Sequence, residues 1–216
     1  MNVYDASRRP VALALSVLCH YDIRNKDAGL PEGPLIVVSN HLSWLDIPLL
    51  AVAIPRKISF MAKKEYFHSP VHAFLVRRFG SFTVERGTVD RTAFDQAAEA
   101  LQNGRALGIF PEGTRSRSFQ LQKGKLGAAF IALHSNAYIL PVGISGTERI
   151  RQRYQGKPRV FHRPRVTINI GQPFRFPPVN GKPSRADLTT SHETIMRRIA
   201  ELLPDDYRGV YRDNGH

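Results

Sequence analysis

The sequence is short of cysteine, of acidic side chains and of long apolar runs. The single cysteine among 216 residues, Cys19, excludes an intramolecular disulfide and a multi-cysteine metal site and favours a reducing compartment. Eighteen acidic residues stand against 31 lysines and arginines, and a net charge of +13 requires an anionic partner. Nucleic acid, anionic lipid and phosphorylated metabolites are the candidates. A hydrophobic fraction of 42% is typical of a folded globular protein and excludes a disordered chain.

Residues 11–19 are the one candidate for a targeting or membrane segment. They are mostly apolar, but the segment is much shorter than the roughly 20 residues that a helix needs to cross a bilayer. No small-x-small cleavage site follows, so we expect the segment to be retained. It is either a short helix on a membrane surface or a first helix packed on the core. We therefore expect residues 1–33 to form a membrane-proximal helical segment and residues 34–216 to form the functional domain.

From residue 34 onward, short β-branched runs alternate with segments of helical period. This pattern predicts an α/β fold with a mixed, largely parallel sheet flanked by helices. The predicted strands are residues 35–39, 57–61, 81–84, 106–110, 139–145 and 166–170.

The predicted helices follow from apolar residues at helical spacing. One covers residues 94–101, a second covers 126–134, and the last begins at a possible capping box of Thr190 and Glu193. The stretch 146–185 is strongly basic and rich in proline and glycine. We expect it to form an exposed, irregular arm around one late strand.

The first predicted strand ends almost directly at a histidine. His41 follows residues 35–39, and Asp46 comes five positions later. On a continuous helix the two side chains would lie about 140° apart, so a contact between them requires a turn. Asp46 or Ser43 can cap a helix after such a turn, which would put Asp46 beside His41 at the mouth of the sheet. An imidazole oriented by a carboxylate is suited to removing a proton from a hydroxyl, although a histidine before a helix-capping aspartate is also common by chance.

Another strand ends at Phe-Pro-Glu-Gly-Thr-Arg-Ser, residues 110–116, where proline and glycine force a turn. The turn presents the side chains of Glu112, Thr114, Arg115 and Arg117. A guanidinium beside hydroxyls and free amides suits a phosphate, but the same residues are also acceptable in a solvated surface turn. Lys63 and Arg86 follow two further strands. A single basic residue after a strand is usually only a solvated surface side chain. Several such residues at neighbouring strand ends suggest an anion site.

Together these segments resemble the glycerolipid acyltransferase family, specifically its bacterial 1-acylglycerol-3-phosphate acyltransferase type. The family's first block, Asn-His followed by four residues and Asp, is matched by Asn40, His41 and Asp46. The other three blocks fall in order at residues 80–86, 110–116 and 139–143.

The resemblance implies a glycerol-3-phosphate acyltransferase-like fold and an O-acyltransferase acting in phospholipid biosynthesis. A fatty acyl group would pass from acyl-CoA or acyl-carrier protein to the free hydroxyl of 1-acylglycerol-3-phosphate, making phosphatidic acid. His41 would be the general base and Asp46 would hold its imidazole. The substrate-binding residues would be Lys63, Arg86, Glu112, Gly113, Thr114 and Arg115. The resemblance implies no metal and no bound cofactor.

The same resemblance implies an acyltransferase domain over residues 34–216. The apolar segment 11–19 and the basic stretch 149–165 together predict a peripheral or monotopic position on the cytoplasmic face of the membrane. An anionic membrane surface would then account for much of the charge. The open alternatives are another lysolipid acceptor and a thioesterase, although water, which replaces the acceptor in a thioesterase, needs no phosphate site. A nucleic-acid-binding module would also explain the charge, but neither a recognition helix nor aromatic-basic interleaving is found. We therefore expect no nucleic-acid partner.

Overall fold

The structure is a computed structural model that describes residues 3–27, 29–63, 82–84, 91–150, 163–179 and 181–212. Within these ranges the helices are α1 (Val3–Leu18), α2 (Asp46–Ala53), α3 (Arg91–Gln102), α4 (Gly127–Ser135) and α5 (Arg185–Glu201). The strands are β1 (His20–Arg24), β2 (Leu35–Ser39), β3 (Ile58–Lys63), β4 (Phe82–Val84), β5 (Ala106–Ile109), β6 (Tyr138–Ser145) and β7 (Arg165–Ile170). Two 3₁₀ turns, Asp205–Tyr207 and Gly209–Tyr211, follow α5.

The strands of the described residues form one sheet in the order β1-β7-β6-β2-β5-β3-β4. Neighbouring strands from β6 to β4 are parallel, β7 is antiparallel to β6, and β1 is parallel to β7. The prediction of a mixed, largely parallel sheet is confirmed. Because five strands run the same way, their carboxyl ends meet at one edge, which we call the carboxyl edge, and β7 and β1 begin at this edge.

The sheet is covered on both faces, so its central strand is buried throughout. Every residue of β2 is fully buried, and Ile36 and Val38 belong to the core beneath α3, α4 and α5. Leu35 and Val37 belong to the opposite core, which contains residues of α1 and α2. The continuous apolar run of β2 is typical of a parallel strand with helices on both sides.

The sequence analysis did not predict strand β1. It lies within residues 1–33, where only helix was expected, and its residues alternate between exposed and half-buried. Its pattern is weak because β1 is an edge strand, paired only with β7. The boundary at residue 33 therefore assigns one strand of the sheet to the N-terminal segment.

Helix α5 begins earlier than the capping-box prediction placed it. The cap is Ser184, whose hydroxyl accepts a hydrogen bond from the Asp187 amide at 3.1 Å, while the Asp187 carboxylate accepts one from the Ser184 amide at 2.8 Å. Both Ser184 and Thr190 have the required spacing to an acid, and nothing between them interrupts a helix, so the earlier pair is the cap. Glu193 instead pairs with Arg197 one turn later.

Helix α1 packs on the core, which is one of the two arrangements that the sequence left open, and it leaves part of its apolar surface exposed. Leu15 is buried against the core, while Leu13 and Val17 are 69% and 64% exposed. Near its start the Arg8 guanidinium donates to the carbonyl of Val52 at the end of α2. In the part of the chain that the structure describes, no helix is long and apolar enough to cross a membrane.

Candidate active site

The carboxyl end of β2 is tied to β6 by a side chain that imitates a backbone amide. The Asn40 side-chain amide donates to the carbonyl of Ile144, and its oxygen accepts from the Ile144 amide, both at 2.8 Å. Asn40 is buried, so losing either bond would leave a polar group without a partner. This pair fixes the point at which the chain leaves the sheet, one residue before His41.

The predicted contact between His41 and Asp46 is confirmed. The Nδ1–H of His41 donates to Oδ2 of Asp46 at 2.8 Å, and the same oxygen accepts the amides of Leu42 and Ser43, each at 2.7 Å. The turn that brings the two side chains together is therefore closed by the carboxylate itself. The histidine side chain is 14% exposed and that of Asp46 is fully buried.

Asp46 does not cap helix α2, and neither does Ser43, so that part of the prediction is wrong. Helix α2 begins at Asp46, its N-cap is Leu45, and no side chain caps it. The Asp46 carboxylate turns back to the amides before it instead of reaching the amides of the helix. This orientation lets the carboxylate reach the His41 ring, because His41 comes before the turn in the chain.

The other carboxylate oxygen of Asp46 binds a residue from a distant part of the chain. The hydroxyl of Thr147 donates to Oδ1 at 2.7 Å across 101 residues of sequence. Thr147 is fully buried just beyond β6. All the described hydrogen bonds to this carboxylate come from N–H or O–H donors, as a buried anion requires.

The His41 ring is also held by stacking. It lies nearly parallel to the Phe110 ring, with ring centroids 4.0 Å apart. The Phe110 ring in turn lies nearly parallel to the Phe60 ring, with centroids 6.1 Å apart. Nδ1 is bound to Asp46, and in the described part of the chain nothing is hydrogen-bonded to Nε2. Nε2 is therefore the ring nitrogen that can accept a proton from a substrate.

Glu112 supports the backbone of His41. One carboxylate oxygen accepts the His41 amide at 2.8 Å and the other accepts the Gln122 amide at 3.0 Å, in a residue that is 3% exposed. Burial raises the pKa of Glu112 to about 7, against the lowering effect of the two amides, and the charge of Asp46 adds a smaller upward contribution. Glu112 thus supports the turn through one backbone amide on each carboxylate oxygen, and its contact with substrate stays a prediction.

The turn predicted at Pro111 and Gly113 is present. Gly113 has a φ of 70° and its amide donates to the carbonyl of Phe110, while Ser116 donates to the His41 carbonyl at 2.8 Å. Thr114 and Arg115 are exposed, and within the described structure their amides make no hydrogen bond. The turn thus presents two free N–H groups and a guanidinium beside the strand end that bears His41.

Of the other two basic residues of the predicted site, Lys63 and Arg86, the structure describes only the backbone of Lys63. Lys63 is the last residue of β3, and its backbone is paired with Val84 of β4. Its side chain, and the whole of Arg86, lie outside the described residues. In the described ranges no group of three or more His, Cys, Asp or Glu side chains converges as metal ligands.

Two residues of this site have roles that sequence reasoning missed. The spacing of the motif indicates that Asp46 contacts His41, but it contains no signal for Thr147. Thr147 becomes a neighbour of Asp46 only because β6 pairs with β2. The sequence analysis includes Asn40 in a motif but assigns it no role. Its place directly after an apolar strand was the signal that it could continue the hydrogen bonding of that strand.

Comparison with known proteins agrees with the fold and identifies a family. Residues 20–145, more than half of the chain, match the family described as Acyltransferase. A 1-acyl-sn-glycerol-3-phosphate acyltransferase of Bacillus subtilis is 27% identical over 202 residues, 93% of this chain and 96% of that protein. A lyso-ornithine lipid O-acyltransferase of Pseudomonas aeruginosa is 38% identical over 118 residues, 53% of this chain and 44% of that protein.

Among solved structures, a 1-acyl-sn-glycerophosphate acyltransferase, PlsC, from Thermotoga maritima is similar with a TM-score of 0.70 and 27% identity. The match covers 93% of this chain and 79% of that chain. This chain thus spans nearly all of the Bacillus protein and less than half of the Pseudomonas protein. The chain belongs to the acyltransferase family and is an enzyme that transfers acyl groups.

Replacing Glu112 with Gln should change how stability depends on pH. The ordinary glutamate pKa is 4.5 and the folded one is about 7, so the folded state binds the proton more tightly. The stability from this group is therefore complete below pH 4.5 and is lost as pH rises through 7. In urea denaturation, the free energy of unfolding of wild type minus that of Glu112→Gln should fall by about 3 kcal/mol over this interval.

Glu112→Ala also lacks the carboxyl group and is the control for this measurement. It should show the same pH dependence relative to wild type, at a lower overall stability. A difference between wild type and Glu112→Gln that stays constant with pH would contradict the raised pKa.

Proposed function

We propose that this enzyme transfers a fatty acyl group from acyl-CoA or acyl-carrier protein to the free hydroxyl of 1-acylglycerol-3-phosphate, making phosphatidic acid in phospholipid biosynthesis. The observation that carries the proposal is the His41–Asp46 pair at the carboxyl edge, inside the segment that matches the acyltransferase family. The names of the Bacillus and Thermotoga relatives support this acceptor.

The chemistry follows from the state of the His41 ring. With its Nδ1–H donated to Asp46, the ring presents a basic Nε2, which takes the proton of the acceptor hydroxyl. The hydroxyl oxygen attacks the thioester carbonyl, the new ester bond forms, and the carbon–sulfur bond breaks. The leaving thiolate then takes the proton from the imidazolium. Asp46 stabilises the imidazolium and keeps the ring oriented through both transfers.

The acceptor phosphate binds at the turn beside His41. Arg115 supplies a guanidinium, and the free amides of Thr114 and Arg115 follow Gly113, whose positive φ aligns successive N–H groups. Lys63 and Arg86 complete the cationic site in this proposal. Glu112 supports this turn in the proposal, because its carboxylate holds the amides of His41 and Gln122.

The proposed reaction involves no metal and no bound cofactor. A thioester is an activated acyl donor, and His41 supplies the base for the acceptor. The donor is therefore a co-substrate that leaves as a thiol. The proposal includes no nucleic-acid partner, because phosphate groups and anionic lipid account for the positive charge.

A second candidate acceptor is a lyso-ornithine lipid. It is favoured by the 38% identity to the Pseudomonas enzyme, although that match covers only 53% of this chain. An ornithine headgroup contains no phosphate, but its carboxylate can also form a bidentate contact with a guanidinium. The turn at Arg115 alone therefore does not separate the two acceptors, and the experiment must use both.

Purified protein should convert lysophosphatidic acid in vesicles to phosphatidic acid when given acyl-CoA or acyl-carrier protein, as measured by mass spectrometry of the lipids. His41→Ala should lower the rate by about 10²- to 10⁴-fold without changing the circular dichroism, because it removes the base but little packing. Retention of more than a tenth of the rate would contradict the assignment of the base.

Parallel reactions with lyso-ornithine lipid separate the candidates. Acylation of this lipid alone would favour the second acceptor and contradict the first. Release of free fatty acid with no acylated lipid would identify a thioesterase and contradict both.

Arg115→Lys should raise the Michaelis constant for lysophosphatidic acid tenfold or more, because an ammonium cannot form the two parallel bonds of a guanidinium. Arg117→Lys is the matched control, since Arg117 is equally an exposed arginine of the same loop. Its Michaelis constant should stay at the wild-type value. An unchanged constant for Arg115→Lys would place Arg115 outside the acceptor site.

The acceptor lies in a membrane, and we include a membrane-facing surface in the proposed function. Helix α1 runs antiparallel to α2, because Arg8 binds the end of α2 while α1 leads into β1 at the carboxyl edge. The exposed Leu13 and Val17 of α1 therefore lie toward the edge that carries His41. We call these two residues and Trp44, which is 57% exposed, the apolar rim. An aromatic side chain with a polar N–H is suited to a membrane interface.

Membrane binding can be followed through Trp44, which is the single tryptophan of the chain. Its fluorescence should shift to shorter wavelength with vesicles that contain anionic lipid, and the shift should weaken as salt is raised. Leu13→Gln combined with Val17→Gln should weaken vesicle binding at least tenfold, because two apolar side chains no longer enter the interface.

Val210→Gln is the control for this experiment, because Val210 is 61% exposed and belongs to the 3₁₀ turn after α5, not to α1. It should bind vesicles as wild type does. Vesicle binding with no change in Trp44 fluorescence would contradict this orientation of the carboxyl edge, and loss of binding in the Val210 variant would contradict a specific rim.

A further inference from the structure

We infer that Thr147 is a positioning residue of the reaction, which acts through Asp46 on the His41 ring. Its hydroxyl lies 2.7 Å from Oδ1 of Asp46, and both side chains are fully buried. Thr147 lies in none of the segments from which the site was recognised, and it does not touch the His41 ring. The inference rests on the proposed roles of His41 and Asp46.

The chain before Thr147 is fixed by close contacts of its backbone. Asn40 holds Ile144 by two hydrogen bonds at the end of β2. Gly146 has a φ of 92°, and a Cβ at this position would lie 2.2 Å from the carbonyl oxygen of Arg165. Only glycine fits between the ends of β6 and β7, so the direction in which the chain leaves β6 is determined by the sheet.

The chain after Thr147 is fixed as well. The hydroxyl of Tyr207 donates to the buried Glu148 carboxylate at 2.7 Å, and Ile150 is buried in the core beside α2. Burial and the bond to Glu148 raise the pKa of Tyr207 to about 12, so this hydroxyl keeps its proton at neutral pH. Held on both sides, Thr147 has little freedom to move its hydroxyl away from Asp46.

This contact completes the hydrogen bonding of the Asp46 carboxylate. Oδ2 accepts three N–H groups from the turn that contains His41, whereas Oδ1 has Thr147 as its donor. The hydroxyl therefore fixes the rotation of the carboxylate plane, and this keeps Oδ2 on Nδ1. Without it, a buried charged oxygen lacks a partner, and the carboxylate turns toward another donor.

Thr147→Val tests the hydroxyl with almost no change of shape. The rate constant kcat should fall by about 10- to 100-fold, as is common when the group that orients a functional side chain is lost. The Michaelis constants for acceptor and donor should not change, since the Thr147 side chain is fully buried and its hydroxyl is bound to Asp46. Thr147→Ser restores the hydroxyl and should restore kcat to within about threefold of wild type. Thr194→Val removes an exposed helical hydroxyl and should match wild type.

A second measurement is made on the resting enzyme, and its result does not depend on which acceptor is used. With ¹⁵N-labelled histidine, the Nδ1 proton of His41 should give a downfield resonance, identified by its absence in His41→Ala. The resonance should persist in Thr147→Ser and should shift or disappear in Thr147→Val. Where the Val variant does not fold, Thr147→Ala, which also lacks the hydroxyl, replaces it in both measurements.

The outcomes separate this inference from the proposed function. Transfer to no acceptor by wild type would overturn the proposed function, while the resonance would still test the contact. An unchanged resonance together with an unchanged kcat in the Val variant would overturn the role of Thr147. A rise in the Michaelis constants at constant kcat would also overturn it, because that result indicates substrate binding.

Discussion

The site depends on one physical requirement, which is that the fully buried carboxylate of Asp46 must have hydrogen-bond donors on both oxygens. A buried anion without partners is too costly to persist in a folded protein. Two of its donors are amides of the adjacent turn, one is the His41 ring, and the last is Thr147 from beyond β6. The carboxylate can therefore be buried only when the turn, the ring and the end of β6 are in place together. This requirement connects local chain geometry to the long-range pairing of the sheet.

Two buried acids, Asp46 and Glu112, support different parts of His41. Asp46 holds the His41 side chain, whereas Glu112 holds the His41 amide and connects it to Gln122. Burial raises the pKa of Glu112, because the surroundings disfavour its charged form. The amides that follow its neighbour Gly113 make no hydrogen bond within the described structure, so the turn supports His41 and, in the proposed function, also binds an anion.

The mixed direction of the strands also matters for access to substrate. Because β7 and β1 are antiparallel to the five strands beside them, α1 reaches the sheet at the edge where β2 delivers His41. A fully parallel sheet would begin β1 at the opposite edge. The orientation of the outer strands therefore brings the end of α1 to the side of the molecule that carries His41.

The sequence by itself determined the α/β class, six of the seven described strands and the contact of His41 with Asp46. These rest on local patterns, since β-branched runs, helical spacing and a polar residue at a strand end are visible within a few positions. The tertiary structure decided the rest. Strand β1 exists because β7 is beside it, Glu112 became a support because its oxygens face two amides, and Thr147 reached Asp46 from 101 residues away. Such contacts depend on which strands become neighbours, and no short window of sequence contains that information.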